Sequence, residues 1–213
     1  MIPKIIHYCW FGPKNLTSSE EECLKSWKKI MPDFEVKIWN EDNFDINYCC
    51  FTKTAYELGK YAFVSDVARV WVLHQFGGIY LDTDMLLLKP MDELLTNDFF
   101  IGDHLPNEVG VGILGSVKEH PFLAQCLEVY GKTKFDPNQL LLIPILFDSV
   151  FSQHQFLGIV RYKPEYFYPL PFSKKGEDYS FYITSSTIAV HLWNHSWKDE
   201  FGLLREEIGR AHV

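Results

Sequence analysis

The segment Gly77-Gly78-Ile79-Tyr80-Leu81-Asp82-Thr83-Asp84 constrains this chain more than any other stretch. Three consecutive apolar residues make a short strand suited only to a sheet interior, and two carboxylates one residue apart leave its carboxyl end. The glycine pair before it suits the left-handed backbone that closes a helix. A helix is indeed expected there. The pattern turns helical from Thr54, and Tyr61, Val64, Ala68, Trp71, Val72 and Gln75 recur at three- and four-residue steps through to Phe76. Helix, glycine turn, buried strand and acidic strand end together describe an open α/β sheet, which gathers its ligands at the carboxyl ends of its strands.

The flanking sequence agrees with that class. Ile2 to Cys9 is short, apolar and β-branched, and reads as a buried strand ending at the Trp10-Phe11-Gly12-Pro13 turn. Thr17-Ser18-Ser19 before Glu20-Glu21-Glu22 reads as a helix cap with acids in the first turn. That helix buries Cys23, Leu24, Trp27 and Ile30 and stops before Pro32. Phe34 to Trp39 alternates as a second strand, and Met85 to Leu88 continues apolar up to Lys89-Pro90. Phe99 to Ile101 and Val109 to Leu114 read as strands, and Pro121 to Tyr130 as a helix with Pro in its first turn. Asn138 to Phe151 reads as a helix kinked or broken at Pro144. Ile159 to Tyr162 and Ile188 to Leu192 read as returning strands.

Composition narrows the function. In 213 residues, 47% are hydrophobic and 23% charged, enough apolar material for a full core. The net charge of -8 excludes nucleic acid as a default partner and suits a site that collects a divalent cation. Five cysteines, two of them adjacent (Cys49-Cys50), with no CxxC pair, argue against both a disulfide framework and structural zinc. The N-terminus lacks the apolar stretch of a signal peptide, and no run approaches the roughly 20 apolar residues that span a bilayer. A cytoplasmic protein is the expectation. Residues 207–213 (Glu207-Ile208-Gly209-Arg210-Ala211-His212-Val213) match an adapter-derived tail, so a single domain is expected over 1–206.

The chemistry concentrates around the strand end. Asp82 and Asp84 have the spacing to share Mg²⁺ or Mn²⁺ with diphosphate oxygens; a bare DxD is equally compatible with a solvated acidic turn, and the buried strand before it favours a site. Asp66 and Arg69 share a helix face, where they form either an ion pair or the wall of a donor pocket. His191 is a metal ligand or a core histidine, the residues alone leaving both open. Trp197 either packs or offers its indole N–H to a phosphate oxygen, and Asn40 after Trp39 is a candidate contact to a base or ribose. Glu108 is a candidate acceptor-side base.

These blocks resemble glycosyltransferase family 32. Ile2-Pro3-Lys4-Ile5-Ile6-His7 with Trp10 is similar to that family's N-terminal motif. Ser65-Asp66-x-x-Arg69 leading to the Gly77–Asp84 block is similar to its DxD region, and His191-Leu192-Trp193-Asn194-His195-Ser196-Trp197 to its C-terminal motif. The resemblance implies the GT-A fold, a Rossmann-like mixed sheet flanked by helices. It also implies a nucleotide-sugar donor (a UDP-sugar ahead of a GDP-sugar), Mn²⁺ or Mg²⁺, and hexose transfer with retention to a saccharide or lipid-linked saccharide. By the same resemblance Cys9 and Trp10 border the nucleotide base; Asn40, Tyr80 and Trp197 are further candidates on the nucleotide side. Asp66 and Arg69 hold the donor sugar. Asp82 bridges ribose, sugar and metal, and Asp84 ligates the metal directly; where the related pattern has a carboxylate and a hydroxyl, this chain instead offers His191, Asn194, His195 and Ser196, with His191 the candidate third ligand.

Bacterial polysaccharide assembly, capsule included, is the expected pathway, with at most peripheral contact at the inner face of the membrane. Two alternatives stand beside it. A DxD phosphatase or phosphotransferase is disfavoured by Leu86, which stands where a Thr or Val normally follows the second Asp. A non-catalytic nucleotide-sugar binder is disfavoured by the intact Asp66, Arg69, Asp82 and Asp84.

Overall fold

The structure is a computed structural model that describes residues 1–194; His195, Ser196, Trp197 and the 207–213 segment lie outside the described residues. Its centre is a six-stranded mixed sheet in the order β2-β1-β3-β6-β5-β7. The strands are β1 (Ile5–Cys9), β2 (Glu35–Trp39), β3 (Gly78–Leu81), β5 (Phe99–Leu105), β6 (Glu108–Ser116) and β7 (Ile159–Tyr162). β1 lies parallel to both β2 and β3, so the carboxyl ends of all three strands share one edge. β6 then runs antiparallel between β3 and β5. A two-stranded ribbon, β4 (Met85–Leu87) with β8 (Ala189–His191), stands beside the sheet.

Strand alternation divides the core into two layers. On one face Tyr80, Phe99, Ile101 and Leu114 pack against α2 (Cys50–Glu57), α3 (Tyr61–Phe76), α4 (Pro121–Lys132) and α5 (Ile143–Gln153). On the other, Ile6, Ile79, Leu81, Phe100 and Ile113 pack against α1 (Ser18–Ile30), the ribbon and α6 (Pro164–Phe167). The capping box of α1 forms as its sequence predicts, Thr17 N–H donating to Glu20 at 2.6 Å. Cys23 and Trp27 are its fully buried residues, and Leu24 and Ile30 are half-buried. Trp27 also ties the helix to the ribbon, its indole N–H donating to the Met85 carbonyl at 2.7 Å. Among the described residues no helix is long and apolar enough to cross a membrane.

Four expectations change. The helical run from Thr54 to Phe76 is two helices, because Gly59 turns the chain at φ 69° and Gly59 N–H closes back on the Tyr56 carbonyl. The helix expected over 138–151 begins only at Ile143, with Pro144 in its first turn rather than at a kink; there its missing N–H costs nothing. The strands at Phe99–Ile101 and Val109–Leu114 extend into one long hairpin. Gly102, Asp103, His104 and Gly110 blur its alternation in sequence, and its pairing shifts at Ile101/Gly102. β2 is the sheet edge, with only Trp39 buried, so its alternation is weaker than the sequence implies.

Candidate functional site

β3 delivers the acidic pair to the sheet's carboxyl edge, and two backbone bonds hold it there. Asp82 N–H donates to the Gly112 carbonyl at 2.8 Å, and Met85 N–H closes the turn on the Asp82 carbonyl at 3.0 Å. The chain leaves this turn as β4, whose partner β8 pairs Met85 with His191. That register places His191 Nε2 3.1 Å from Asp84 Oδ1. Asn194 N–H donates to the other oxygen of Asp84 at 2.9 Å. One ligand atom from each of Asp82, Asp84 and His191 lies within 4.8 Å of the others. The structure thus brings together the three residues expected to hold a metal.

The surroundings fit a cation. A Cβ on Gly112 would meet Asp82 Oδ2 at 3.1 Å and His191 Nε2 at 3.3 Å, so the absent side chain leaves the space between the ligands open. Two carboxylates and an imidazole form a donor set suited to Mn²⁺, and to Mg²⁺ with more water in its shell. Tyr168 fixes this wall from behind, its hydroxyl accepting from Gly112 N–H at 2.9 Å, and its ring lies 5.6 Å from that of His191. Trp193 meets His191 edge to face with centroids 4.1 Å apart, and holds a left-handed φ of 59°. Its indole N–H is anchored on the Leu170 carbonyl at 2.8 Å. A bulky residue in that region of φ is strained, which singles out the segment that carries His191, the third candidate ligand. Among the described residues, His191 Nδ1 has no hydrogen-bond partner.

Beneath the acids lies a buried charge network. Arg69, only 7% exposed at its side chain, reaches Asp66 Oδ1 at 3.0 Å and Asp82 Oδ1 at 3.2 Å, and donates to the Val111 carbonyl at 2.8 Å. Its guanidinium lies 4.6 Å above the Tyr80 ring, whose hydroxyl donates to Asp82 Oδ1 at 2.9 Å. Burial pushes the Asp66 carboxyl up to about 6; Arg69 pulls against that shift and Asp82 adds to it. One oxygen of Asp82 is therefore held by Tyr80 and Arg69 while the side chain keeps 27% of its surface open. Asp84, at 8%, is the enclosed acid.

Several expected ligand contacts take other roles. Arg69 is committed to Asp66, Asp82 and Val111, so it braces the acids rather than reaching outward to a sugar. Tyr80 is 2% exposed and acts on Asp82 instead of touching a nucleotide. Cys9 is buried beside Tyr80, with its thiol pushed well above the usual range by burial, so it underlies the site and does not border a base. Asn40 shapes the turn after β2, its side-chain carbonyl accepting from Asp42 N–H at 3.0 Å. Trp10 follows β1 at the same sheet edge as Asp82, half-buried, its indole donating to the Lys14 carbonyl at 2.6 Å. Glu108 lies at the start of β6, 3.6 Å from His104 Nε2. Trp197 lies outside the described residues. Sequence reasoning missed Gly112, Tyr168 and Trp193. Of these, Gly112 left a trace in the spacing Gly110-Val111-Gly112 and Trp193 in the C-terminal block at 191–197.

Comparison with known proteins finds a family likeness over part of the chain. Residues 17–101 match the model of the glycosyltransferase sugar-binding region containing the DXD motif, which takes in both Asp66/Arg69 and Asp82/Asp84. Inositol phosphoceramide mannosyltransferase 3 of Schizosaccharomyces pombe is 30% identical over 143 residues, 63% of this chain and 39% of that protein. Lactosylceramide 4-alpha-galactosyltransferase of Mus musculus is 32% identical over 148 residues, 62% of this chain and 40% of that protein. The chain thus spans well under half the length of these two relatives. The solved structure of the galactosyltransferase LgtC with donor and acceptor sugar analogues has a TM-score of 0.52 at 14% identity, covering 97% of this chain and 95% of that one. The fold is GT-A, as the family 32 resemblance implies. Bacterial polysaccharide assembly gains no support from these relatives, which come from a yeast and a mouse.

Proposed function

We propose, for a chain that is a DXD-motif glycosyltransferase by its sugar-binding region, that it transfers a hexose with retention from a nucleotide-diphosphate sugar to a lipid-linked acceptor. The observation that carries this reading is the convergence of Asp82, Asp84 and His191, within 4.8 Å, on the carboxyl edge of the sheet. Asp84 and His191 hold a divalent cation, Mn²⁺ or Mg²⁺, and the more open Asp82 is shared between the cation and the donor. When bound, the cation offsets charge that develops on the departing nucleotide diphosphate.

The chain's own residues supply the rest. Arg69 and Tyr80 fix one oxygen of Asp82 and leave the other facing the ligand space. Asp66, held by Arg69 and partly desolvated, is the acceptor for donor-sugar hydroxyls. Trp10 stands on the nucleotide side, with a UDP-sugar favoured over a GDP-sugar. A lipid-linked acceptor is favoured because the relatives' names specify inositol phosphoceramide and lactosylceramide. The proposed location is the cytoplasm, with peripheral contact at the membrane that presents the acceptor.

A thermal-shift screen of UDP- and GDP-sugars with and without Mn²⁺ tests this. One donor should stabilise the protein only with metal, by about 2.7 kcal/mol at a hundred times its Kd, and not at all in Asp84→Asn. Stabilisation of equal size without metal would overturn the reading.

A further inference from the structure

A second concavity opens beside the site. The β5–β6 hairpin and the segment from Pro164 to Tyr182 enclose a cleft of about 260 Å³. Its walls include Leu105, Pro106, Pro169, Pro171, Tyr168 and Tyr182. Prolines carry no N–H, so this backbone offers few donors with which to recognise hydroxyl groups. Of the lining, Leu105 is 44% exposed, and Phe181, next in sequence to Tyr182, is 82% exposed. An apolar wall with an apolar lip prefers an apolar occupant.

The cleft shares a wall with the site described above. Tyr168 lines it while its hydroxyl holds Gly112, the residue that leaves space between Asp82 and His191. His104 lines it too, and its ring lies 6.5 Å from both Tyr168 and Trp193. Trp193 in turn packs on His191. Trp193 therefore stands between the metal-binding histidine and the inner wall of the cleft. The polar members of the lining are Glu165 and His104, the latter paired with Glu108, beside prolines, Leu105 and two tyrosines. A volume of this size lies below the roughly 300 Å³ at which pockets take whole drug-sized ligands, so the occupant is slim.

We infer that this cleft holds the apolar chain of an amphipathic glycoside, its sugar directed past Trp193 to the donor site. The assignment rests on the transferase reading and specifies its acceptor: a sugar whose aglycone begins as an alkyl chain.

The test titrates the full chain with methyl, butyl, hexyl and octyl β-glucoside, each below its micelle concentration, by calorimetry. Affinity should rise by about fourfold per methylene until the chain fills the cleft. Leu105→Asp and Tyr182→Ala, both at accessible wall positions, should flatten the series without lowering Tm. Asp84→Asn should leave the series intact, which separates the cleft from the donor site. Equal affinity for the methyl and octyl glycosides would overturn the inference, and so would a series that survives both wall variants, the mark of unspecific detergent adsorption. An intact series with no metal-dependent nucleotide-sugar stabilisation would uphold the cleft and count against the transferase reading alone.

Discussion

His191 Nε2 stands 3.1 Å from Asp84 Oδ1, and the β4–β8 pairing that places it there begins one residue after the acidic motif. The ribbon is thus the device that brings a histidine to the acidic strand end and makes it a candidate three-ligand site. Replacing His191 with Ala removes one donor and leaves the two acids, so Mn²⁺ affinity should fall at least about tenfold, the scale on which even outer partners of ligands act. Calorimetric titration of Mn²⁺ measures it. Unchanged affinity would remove His191 from the site.

Gly112 should resist the smallest possible change. In Gly112→Ala the new methyl would press on Asp82 Oδ2 and His191 Nε2 at 3.1 and 3.3 Å. Overpacking of this kind costs about 1–3 kcal/mol, here drawn from the arrangement of the ligands. Metal-dependent donor stabilisation should weaken more than the unfolding midpoint of the metal-free protein. The reverse order would show that Gly112 serves the sheet and not the cation.

Tyr80→Phe isolates a single hydrogen bond. The ring stays beneath Arg69, and only the hydroxyl that donates to Asp82 is lost. A net loss of about 1.5–3 kcal/mol is expected for a bond to a charged acceptor. It should appear chiefly as weaker donor binding in the presence of metal, because the freed Asp82 no longer has one preferred orientation.

Arg69→Ala should be far more damaging. It strips Asp66 and Asp82 of their buried cation and leaves the Val111 carbonyl without its donor. Breaking such a network costs about 3–5 kcal/mol. Urea denaturation measures the loss, and an effect below about 1 kcal/mol would mean that water replaces the guanidinium.

His7 gives the fold a pH dependence away from the site. Trp39 Nε1–H donates to His7 Nδ1 at 3.0 Å, so the proton resides on Nε2, which donates to the Gly77 carbonyl at 2.9 Å. Burial lowers the His7 pKa from 6.5 to about 4. The neutral form is the folded form, so the contribution is complete above about 6.5 and is lost as pH falls toward 4. The whole shift corresponds to on the order of 3 kcal/mol. Urea midpoints between pH 7 and 4 should decline for the natural chain and decline less for His7→Gln.

The sequence by itself determined the α/β class, the buried β3 strand and the position of Asp82 and Asp84 at its end. These follow from local periodicity and from the backbone freedom of glycine, both properties of neighbouring residues. The same logic found the α1 cap and the C-terminal end of α3, and it brought Asp66 and Arg69 to one helix face. It did not find the break at Gly59, since the apolar spacing runs on across it.

Tertiary structure decided what each site residue touches. Whether Tyr80 meets a ligand or Asp82, and whether Arg69 reaches outward or braces two acids, depends on burial and on partners from other strands. Gly112 and Tyr168 acquire meaning only when β6 lies against β3 and Tyr168 closes over Gly112. His191, which the residues left equally a core histidine or a ligand, joins Asp84 because β8 pairs with β4 in one register; a shift of one residue would turn its side chain to the other face of the ribbon.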